Sequence, residues 1–142
     1  LNKEISKKTN TLQSWKNFSL KANEHKQKFR KLLLDNHKNN KIIGFGSSAR
    51  SQTLLNFCKL NNTHINLIID NNKLKQGKFT PGSLIKIVDF SEGMKNQPDI
   101  IVILAWNFKD EIINMCIEQG FKGRFILPFP NDPYILNNDD IL

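Results

Sequence analysis

An apolar run passes into a predicted helix through two glycines, in the segment Lys41-Ile42-Ile43-Gly44-Phe45-Gly46-Ser47-Ser48-Ala49-Arg50. Its first five residues are typical of a short buried strand, and the pattern G-x-G-x-x-A follows from Gly44 to Ala49. In such a unit Gly44 permits a tight turn, Gly46 lets a ligand approach the backbone, and Ala49 lets the helix pack closely on the strand. The segment therefore predicts a strand, a tight turn and a helix in succession.

The Gly44–Arg50 turn is a candidate anion site. The N–H groups at the start of a helix have no intrahelical acceptor and favour a negative group. Arg50 falls in the first helical turn, where a cation opposes the helix dipole at a typical cost of about 0.3–1 kcal/mol. Next to a bound phosphate or carboxylate, the cation would be favourable at this position. The alternative is a turn that merely connects the strand to the helix.

Four more apolar runs alternate with helical segments along the rest of the chain. Strands are expected at residues 65–70, 85–88, 99–104 and 124–127, and helices at residues 48–60, 89–95 and 107–119. Asn107 is expected to cap the last helix, and Gly120 to end it. Strands separated by helices imply a parallel sheet with right-handed crossovers. The pattern predicts an α/β fold, a Rossmann-like doubly wound five-stranded parallel sheet.

A long helix is predicted before the sheet, with Thr11 as its N-cap and its end near residues 36–40. Its apolar face comprises Leu12, Trp15, Phe18, Ala22, His25, Phe29, Leu32 and Leu33. We expect Trp15 and Phe18 to extend beyond the small body and to pack on something outside it. The predicted division is a leading tail and basic amphipathic helix (1–40), a Rossmann-like domain (41–130) and a polar C-terminal tail (131–142).

The charge is concentrated at one end of the 142-residue chain, whose length suits one domain and not two. Residues 1–41 contain 11 basic and 3 acidic residues, and the remainder contains 10 of each, so the leading segment carries the whole net charge of +8. The basic residues follow one predicted helix, either as a solvated face or as a face that meets an acidic neighbouring domain. Nucleic-acid proteins spread such charge over a groove with stacking aromatics, so a nucleic-acid partner is not expected.

Several other classes of protein are disfavoured. No apolar run approaches the roughly 18–20 residues of a membrane span, and no signal segment is recognised, so a cytoplasmic protein without a membrane partner is expected. Cys58 and Cys116 are expected to be small buried apolar residues. The three histidines have no Cys or carboxylate at metal-ligand spacing, so no metal site is predicted. No carboxylate pair suited to acid–base catalysis stands out.

Polar and aromatic residues also follow the ends of other predicted strands. Asp70 is either an acid that binds a ribose hydroxyl, as in dinucleotide sites, or the cap of its own turn. Lys75 belongs to a loop that could fold over a ligand or could be plain surface. Trp106 and Asn107 follow the strongest strand, where a Trp is either a stacking surface or a core residue. Because the carboxyl ends of parallel strands share one edge, these residues and the 128–130 turn should lie near the glycine turn.

Several motifs in order resemble the C-terminal domain of sugar C-methyltransferases. They are Gly44–Arg50 with Leu54-Leu55-Asn56, then Asp70-Asn71-Asn72-Lys73, Lys75-Gln76-Gly77-Lys78, Pro81-Gly82, and Leu104-Ala105-Trp106-Asn107-Phe108 with Glu111-Ile112. The resemblance covers roughly residues 12–130. It implies a Rossmann-like domain that helps to hold a nucleotide-linked deoxysugar of the thymidine diphosphate type. It also implies that the methyl donor S-adenosylmethionine and the catalytic base belong to a preceding methyltransferase domain, and that a cysteine-rich zinc domain comes before that.

The resemblance implies binding roles and no catalytic ones in this chain. It assigns substrate binding to Gly44, Gly46, Ser48, Arg50, Asn72, Lys75, Trp106 and Asn107, and the candidate set also includes Ser47 and Asp70. No cofactor is expected in this domain, and the chain alone is not expected to catalyse methyl transfer. Two other functions stay open: a dinucleotide (NAD)-binding domain of an oxidoreductase, and an interaction module that has lost its ligand.

Overall fold

The computed structural model describes residues 11–141, and these form a six-stranded sheet with helices on both faces. The strands are β1 (Ile42–Phe45), β2 (Leu67–Ile69), β3 (Lys86–Val88), β4 (Ile100–Ile103), β5 (Arg124–Leu127) and β6 (Tyr134–Leu136). The α-helices are α1 (Leu12–His37), α2 (Ala49–Phe57), α3 (Phe90–Lys95) and α4 (Lys109–Glu118). Short 3₁₀ helices occur at Trp106–Phe108 and Asn138–Asp140. The Rossmann-like α/β prediction is confirmed.

The strand order is β3-β2-β1-β4-β5-β6, with β1 to β5 parallel. Chain order reverses between β1 and β4, and open α/β sheets bind ligands above such a point, beyond the carboxyl ends of the strands. The two segments that leave this point are the glycine turn after β1 and the Trp106–Phe108 turn after β4. The topology thus places two of the predicted clusters beside one crevice.

The prediction of five strands, all parallel, was incomplete, because β6 pairs antiparallel with β5. This strand lies in the segment expected to be only a polar tail. Ile135 and Leu136 are half-buried and pack against the core on opposite faces of the sheet. This three-residue strand is flanked by Asn, Asp and Pro, so its apolar pattern is too weak to predict a strand without knowledge of its partner β5.

Alternate residues of the strands enter two separate cores. On one face, Ile42, Ile100 and Ile126 pack with α1 and α2. On the other face, Ile43, Ile101 and Phe125 pack with α4. The interior strands are apolar on both faces, as a parallel sheet covered on both sides requires.

Helix α1 begins as predicted, with the Thr11 side chain accepting a hydrogen bond from the Ser14 N–H. Its apolar face is buried only toward the C-terminal end, where Phe29 and Leu33 are inaccessible to solvent. Toward the N-terminal end, Trp15 is 59% and Phe18 67% exposed. These two side chains therefore extend beyond the body of the described domain, as expected.

The helix that follows β4 begins differently from the prediction. Asn107 was expected to cap it, and that expectation was wrong, because Asn107 lies inside the 3₁₀ turn Trp106–Phe108. Helix α4 starts after this turn at Lys109, with no side-chain cap. At its other end Gly120 adopts φ +82°, which explains the stop at this residue. The extra turn leaves Trp106 and Asn107 directly above β4.

None of the helices within residues 11–141 combines the length and the hydrophobicity that crossing a lipid bilayer requires.

Candidate functional site

The turn between β1 and α2 is held by hydrogen bonds to the segment after β2. The Gly46 N–H donates to the Ile69 carbonyl at 2.8 Å, and the Ser47 N–H donates to Asp70 Oδ2 at 2.8 Å. At the start of α2, Ser48 is the N-cap and its Oγ accepts from the Ser51 N–H at 3.2 Å. The turn is thus fixed in position by its neighbours before any ligand binds.

The structure explains the small residues Gly44 and Gly46 differently from the sequence prediction. Gly44 lies inside β1, and a Cβ there would meet the side chains of Leu104 and Ile68 at 2.9 and 3.0 Å. Gly46 has φ +98°, and its Cβ would overlap Ala105. Ala49 is exposed and does not pack on the strand. The two glycines therefore permit close packing of the β4 end on β1, and the approach of a ligand at Gly46 stays a prediction.

Asp70 makes three interactions with the protein itself. Its Oδ2 accepts from the Ser47 N–H and lies 3.3 Å from Lys75 Nζ, while its Oδ1 accepts from the Asn72 N–H at 2.8 Å. Lys75 Nζ also donates to the Ser47 carbonyl at 2.6 Å. The hydrogen bond to Asn72 is the turn cap that was one of the two predictions for Asp70. A carboxylate so fully used is poorly suited to bind a ribose hydroxyl as well.

Three backbone donors remain at the start of α2. Among the described residues, no protein acceptor lies within hydrogen-bond reach of the N–H groups of Ser48, Ala49 and Arg50. Arg50 is exposed, and no carboxylate of residues 11–141 forms an ion pair with its guanidinium. Free N–H groups and an unpaired cation at a helix start together favour an anion.

A wide groove lies on the β4 and β5 side of this turn. Its volume is about 600 Å³, and we call it the aromatic groove; it is lined by Phe18, Lys21, Ala22, His25, Arg50, Thr53, Leu54, Phe57, Trp106 and Phe129. Along it, the His25 ring stacks on Phe129 at 4.4 Å between centroids, and Phe129 lies 4.6 Å from Trp106. The Arg50 guanidinium lies over Trp106 at 5.7 Å. This series of contacts connects α1 to the glycine turn.

His25 is the titratable group of this groove with a perturbed pKa. Burial lowers the pKa of His25 below its ordinary value of 6.5, although the nearby Asp132 opposes this effect and Lys28 adds to it. Its Nε2 is buried and has no hydrogen-bond partner among residues 11–141. A neutral imidazole is therefore favoured at this position.

A second cavity lies on the β2 side of the turn. Its volume is about 270 Å³, and we call it the lysine cavity; it is lined by Ser47, Ser48, Ala49, Gln52, Lys75, Lys78, Phe79, Pro81 and Ile87. A small pocket of about 50 Å³, also lined by Asn107, shares Ser48 with the lysine cavity and shares Arg50 and Trp106 with the aromatic groove. Residues 48–50 therefore border all three spaces.

Two comparisons with known proteins identify the family of this chain. The sequence model of the family described as the C-methyltransferase C-terminal domain matches residues 1–130. The chain belongs to this family. It is also 36% identical over 104 residues to the C-methyltransferase NovU of Streptomyces niveus, a match that covers 71% of this chain and 24% of that protein. The chain thus spans about a quarter of the length of this relative.

The predicted clusters of the C-methyltransferase C-terminal domain contact one another at one edge of the sheet. Ser47 touches Asp70, Arg50 touches Trp106, and Trp106 touches Phe129 in the 128–130 turn. Asn72 is exposed and contributes to the β2 side through its own turn, where its Oδ1 accepts from the Leu74 N–H. The prediction that four strand ends contribute to one edge is confirmed, whereas the binding roles of the individual residues stay predictions.

Sequence reasoning missed several lining residues of this C-methyltransferase domain. They are Phe18, His25, Gln52, Phe57, Lys78, Phe79 and Phe129. Phe129 could have been found, because it lies two residues after β5, in the 128–130 turn that was predicted to lie at this edge. His25 lies 104 residues from Phe129 in sequence, so only the folded chain shows that the two rings stack.

Within residues 11–141, no three His, Cys, Asp or Glu side chains are grouped as ligands of a metal ion would be.

Proposed function

We propose that this chain is the part of a C-methyltransferase that holds a nucleotide-linked deoxysugar, of the thymidine diphosphate type, for methylation at carbon. The observation that carries the proposal is the group of free donors at Ser48, Ala49 and Arg50, which lies between two cavities at the ligand-binding edge of the sheet. A diphosphate suits such donors, because it accepts several hydrogen bonds and its charge is favoured by the positive end of the helix.

The contribution of the domain to the reaction would be orientation. Carbon methylation requires the sugar carbon and the donated methyl group to be aligned, and holding reactants in place removes part of the entropic barrier. Arg50 and the backbone donors would bind the diphosphate, and Trp106 with Asn107 would lie beside the group attached to it. No residue of this chain is assigned a role in proton transfer.

S-adenosylmethionine would be held by a preceding methyltransferase domain. The residues present here do not fit this cofactor, because the acid at the end of β2 is the usual partner of ribose hydroxyls and Asp70 is already used by three protein donors. The same observation disfavours a dinucleotide cofactor. We derive no step of the reaction through either group.

The preceding domain would also cover the exposed face of α1. Leu12, Trp15 and Phe18 continue the buried stripe of this helix and are 59–72% exposed. Large apolar side chains grouped on one face are typical of interaction surfaces.

Calorimetric titration of the 142-residue chain tests the proposal. We expect saturable binding of thymidine diphosphate glucose and no binding of NADH at concentrations up to about 1 mM, where the standard binding free energy is only about −4 kcal/mol. Binding of NADH alone would support an oxidoreductase domain instead. Binding of neither compound would favour an interaction module. Incubation with S-adenosylmethionine and thymidine diphosphate 4-keto-6-deoxyglucose should give no methylated product, and product formation would contradict the assignment of catalysis to another domain.

A further inference from the structure

The two cavities beside residues 48–50 differ in chemistry. The lysine cavity is lined by Lys75, whose ammonium pairs with Asp70, by Lys78, and by an exposed aromatic ring, Phe79, which is 61% accessible to solvent. The aromatic groove is larger and nearly all apolar, with Trp106 and Phe129 along one wall. A ligand that crosses the turn would therefore place chemically different ends in the two spaces.

Each of the two spaces is also lined by a side chain with one polar atom that has no partner among residues 11–141. Two side chains of the described residues have a buried polar atom without a hydrogen-bond partner: His25, through Nε2, and Gln52, through Oε1. His25 lines the aromatic groove and Gln52 lines the lysine cavity. Buried polar groups in proteins are nearly always paired, and the exceptions call for a missing partner such as a ligand or water.

The topology orients the ligand. In sheets of this strand order, the first nucleoside of a dinucleotide lies on the β2 side of the glycine turn, and the second half lies beyond the point where strand order reverses. Here the lysine cavity is on the β2 side, since Lys75, Lys78 and Phe79 follow β2 in sequence. The aromatic groove is on the β4 and β5 side, through Trp106 and Phe129.

We infer that the lysine cavity binds the nucleoside end of the sugar nucleotide, with its base on Phe79, and that the aromatic groove binds the sugar against Trp106. This inference rests on the proposed function and divides its site in two. The diphosphate lies between the halves, on the free N–H groups of residues 48–50. The sugar is then on the side of α1, the segment through which a preceding domain would join the chain.

The physical basis of the two contacts differs. Any nucleic-acid base can stack on an exposed aromatic ring. Phe79 has such an exposed ring in the same cavity as Lys75 and Lys78. The C–H groups and the methyl group of a deoxysugar are apolar and lose contact with water when they cover an indole. Loss of the Phe79 ring should therefore weaken the binding of every ligand that contains the base, whereas loss of the Trp106 ring should weaken the binding only of ligands that contain the sugar.

Calorimetric titrations with two ligands separate these roles: thymidine diphosphate, and thymidine diphosphate 4-keto-6-deoxyglucose. We expect Phe79→Ala to weaken binding of both by about tenfold, within the range of base–aromatic stacking. We expect Trp106→Ala to weaken the sugar nucleotide by about tenfold and thymidine diphosphate by less than twofold. The matched control is Leu74→Ala, because Leu74 is 77% exposed in the same loop and lines neither cavity; it should change neither affinity.

Because Trp106 packs on Phe129, Trp106→Ala could weaken binding by disturbing the fold. A second measurement therefore uses a protein that keeps Trp106. Trp15→Phe leaves Trp106 as the single tryptophan of the chain, which has two. Its fluorescence should change more on addition of the sugar nucleotide than on addition of thymidine diphosphate, which acts on Trp106 only through Arg50. The reverse pattern, or equal losses for both ligands in both variants, would overturn the inference while the proposed function stood. Failure of any sugar nucleotide to bind would overturn the proposed function and this inference with it.

Discussion

The backbone N–H of Ser47 donates to the carboxylate of Asp70 at 2.8 Å, so the acid after β2 holds the glycine turn after β1. The carboxylate is only 13% exposed and also accepts from the Asn72 N–H. Asp70 thus joins two adjacent strand ends into one rigid border of the site. Its contribution to stability is open to direct measurement.

Replacing Asp70 by Ala should lower the free energy of unfolding by about 1–3 kcal/mol, because two backbone donors lose their acceptor. Asp70→Asn should cost less, since its amide oxygen can still accept one of the two hydrogen bonds. Urea denaturation measures both. The control is Asp110→Ala, since the Asp110 side chain is 83% exposed and should contribute no more than about 0.3–1 kcal/mol, through its position in the first turn of α4. Equal stability of the Asp70 and Asp110 variants would contradict the structural role of this carboxylate.

Gly46 should be far less tolerant of Ala than Gly77, although both have positive φ angles, +98° and +80°. A Cβ at Gly46 would lie 2.5 Å from Ala105 Cβ, whereas a Cβ at Gly77 meets nothing within 4 Å. We expect Gly77→Ala to cost about 1–2 kcal/mol for the backbone conformation alone. Gly46→Ala should cost about 3 kcal/mol or more, because the overlap adds to that strain. Similar melting temperatures for the two variants would show that the close approach of Ala105 is unimportant.

Arg50 should matter more for ligand binding than for stability. Arg50→Ala removes a cation that the dipole of α2 disfavours by about 0.3–1 kcal/mol, but it also removes the contact of the guanidinium with the Trp106 ring, worth about 0.5–1 kcal/mol, so the stability of the free protein should change little. The same change should weaken binding of thymidine diphosphate by about tenfold, through loss of a charged hydrogen bond. Calorimetry and thermal melting measure the two effects. Lys122→Ala is the control, since Lys122 is exposed and lines a separate cavity at the amino ends of the strands. An unchanged affinity in the Arg50 variant would exclude Arg50 from the site.

The two thiols should be inert in the folded protein. Burial raises the pKa of Cys58 to about 11 and that of Cys116 to about 12, and neither residue is accessible to solvent. The reactive thiolate is therefore nearly absent at neutral pH. We expect the thiol reagent DTNB at pH 8 to label neither cysteine of the native chain, and both after unfolding in guanidinium chloride. Rapid native labelling would show that one of the two helices opens readily.

Stability should fall on acidification, partly through His25. Because its folded-state pKa lies below 6.5, the unfolded chain takes up a proton first as the pH falls. The free energy of unfolding should therefore decrease below about pH 6.5 and stop decreasing from this cause once the folded-state pKa is passed. His64, whose pKa burial also lowers, contributes with the same sign. In His25→Phe, which keeps an aromatic ring on Phe129, denaturation between pH 5 and 7.5 should show a smaller pH dependence. An unchanged dependence would contradict this assignment.

The sequence predicted the parallel strands well, because each is a short apolar run bounded by turn residues. It could not predict β6, where only Ile135 and Leu136 are half-buried and the partner strand supplies the stabilisation. Nor could it predict the 3₁₀ turn at Trp106–Phe108, since Asn107 is an equally good cap on its sequence alone.

The candidate site was predictable as a location and not as a set of contacts. Parallel topology alone brings the residues after β1, β2, β4 and β5 to one edge. The hydrogen bond from the Ser47 N–H to Asp70 depends on how far the ends of β1 and β2 extend relative to each other, which no local sequence pattern encodes. The same limit applies to the stack of His25 on Phe129, which joins the first helix to the last parallel strand.

The position of β6 has a practical consequence for anyone who expresses this domain. The family match ends at residue 130, and β6 begins at Tyr134. A version trimmed to the match would leave the backbone of β5 unpaired along one side, next to the apolar residues Phe125, Ile126 and Leu127. Such bare strands recruit other chains and lead to aggregation. The segment after the matched region replaces an apolar edge by a three-residue edge strand, so a version that ends at residue 130 should aggregate more readily than the full chain.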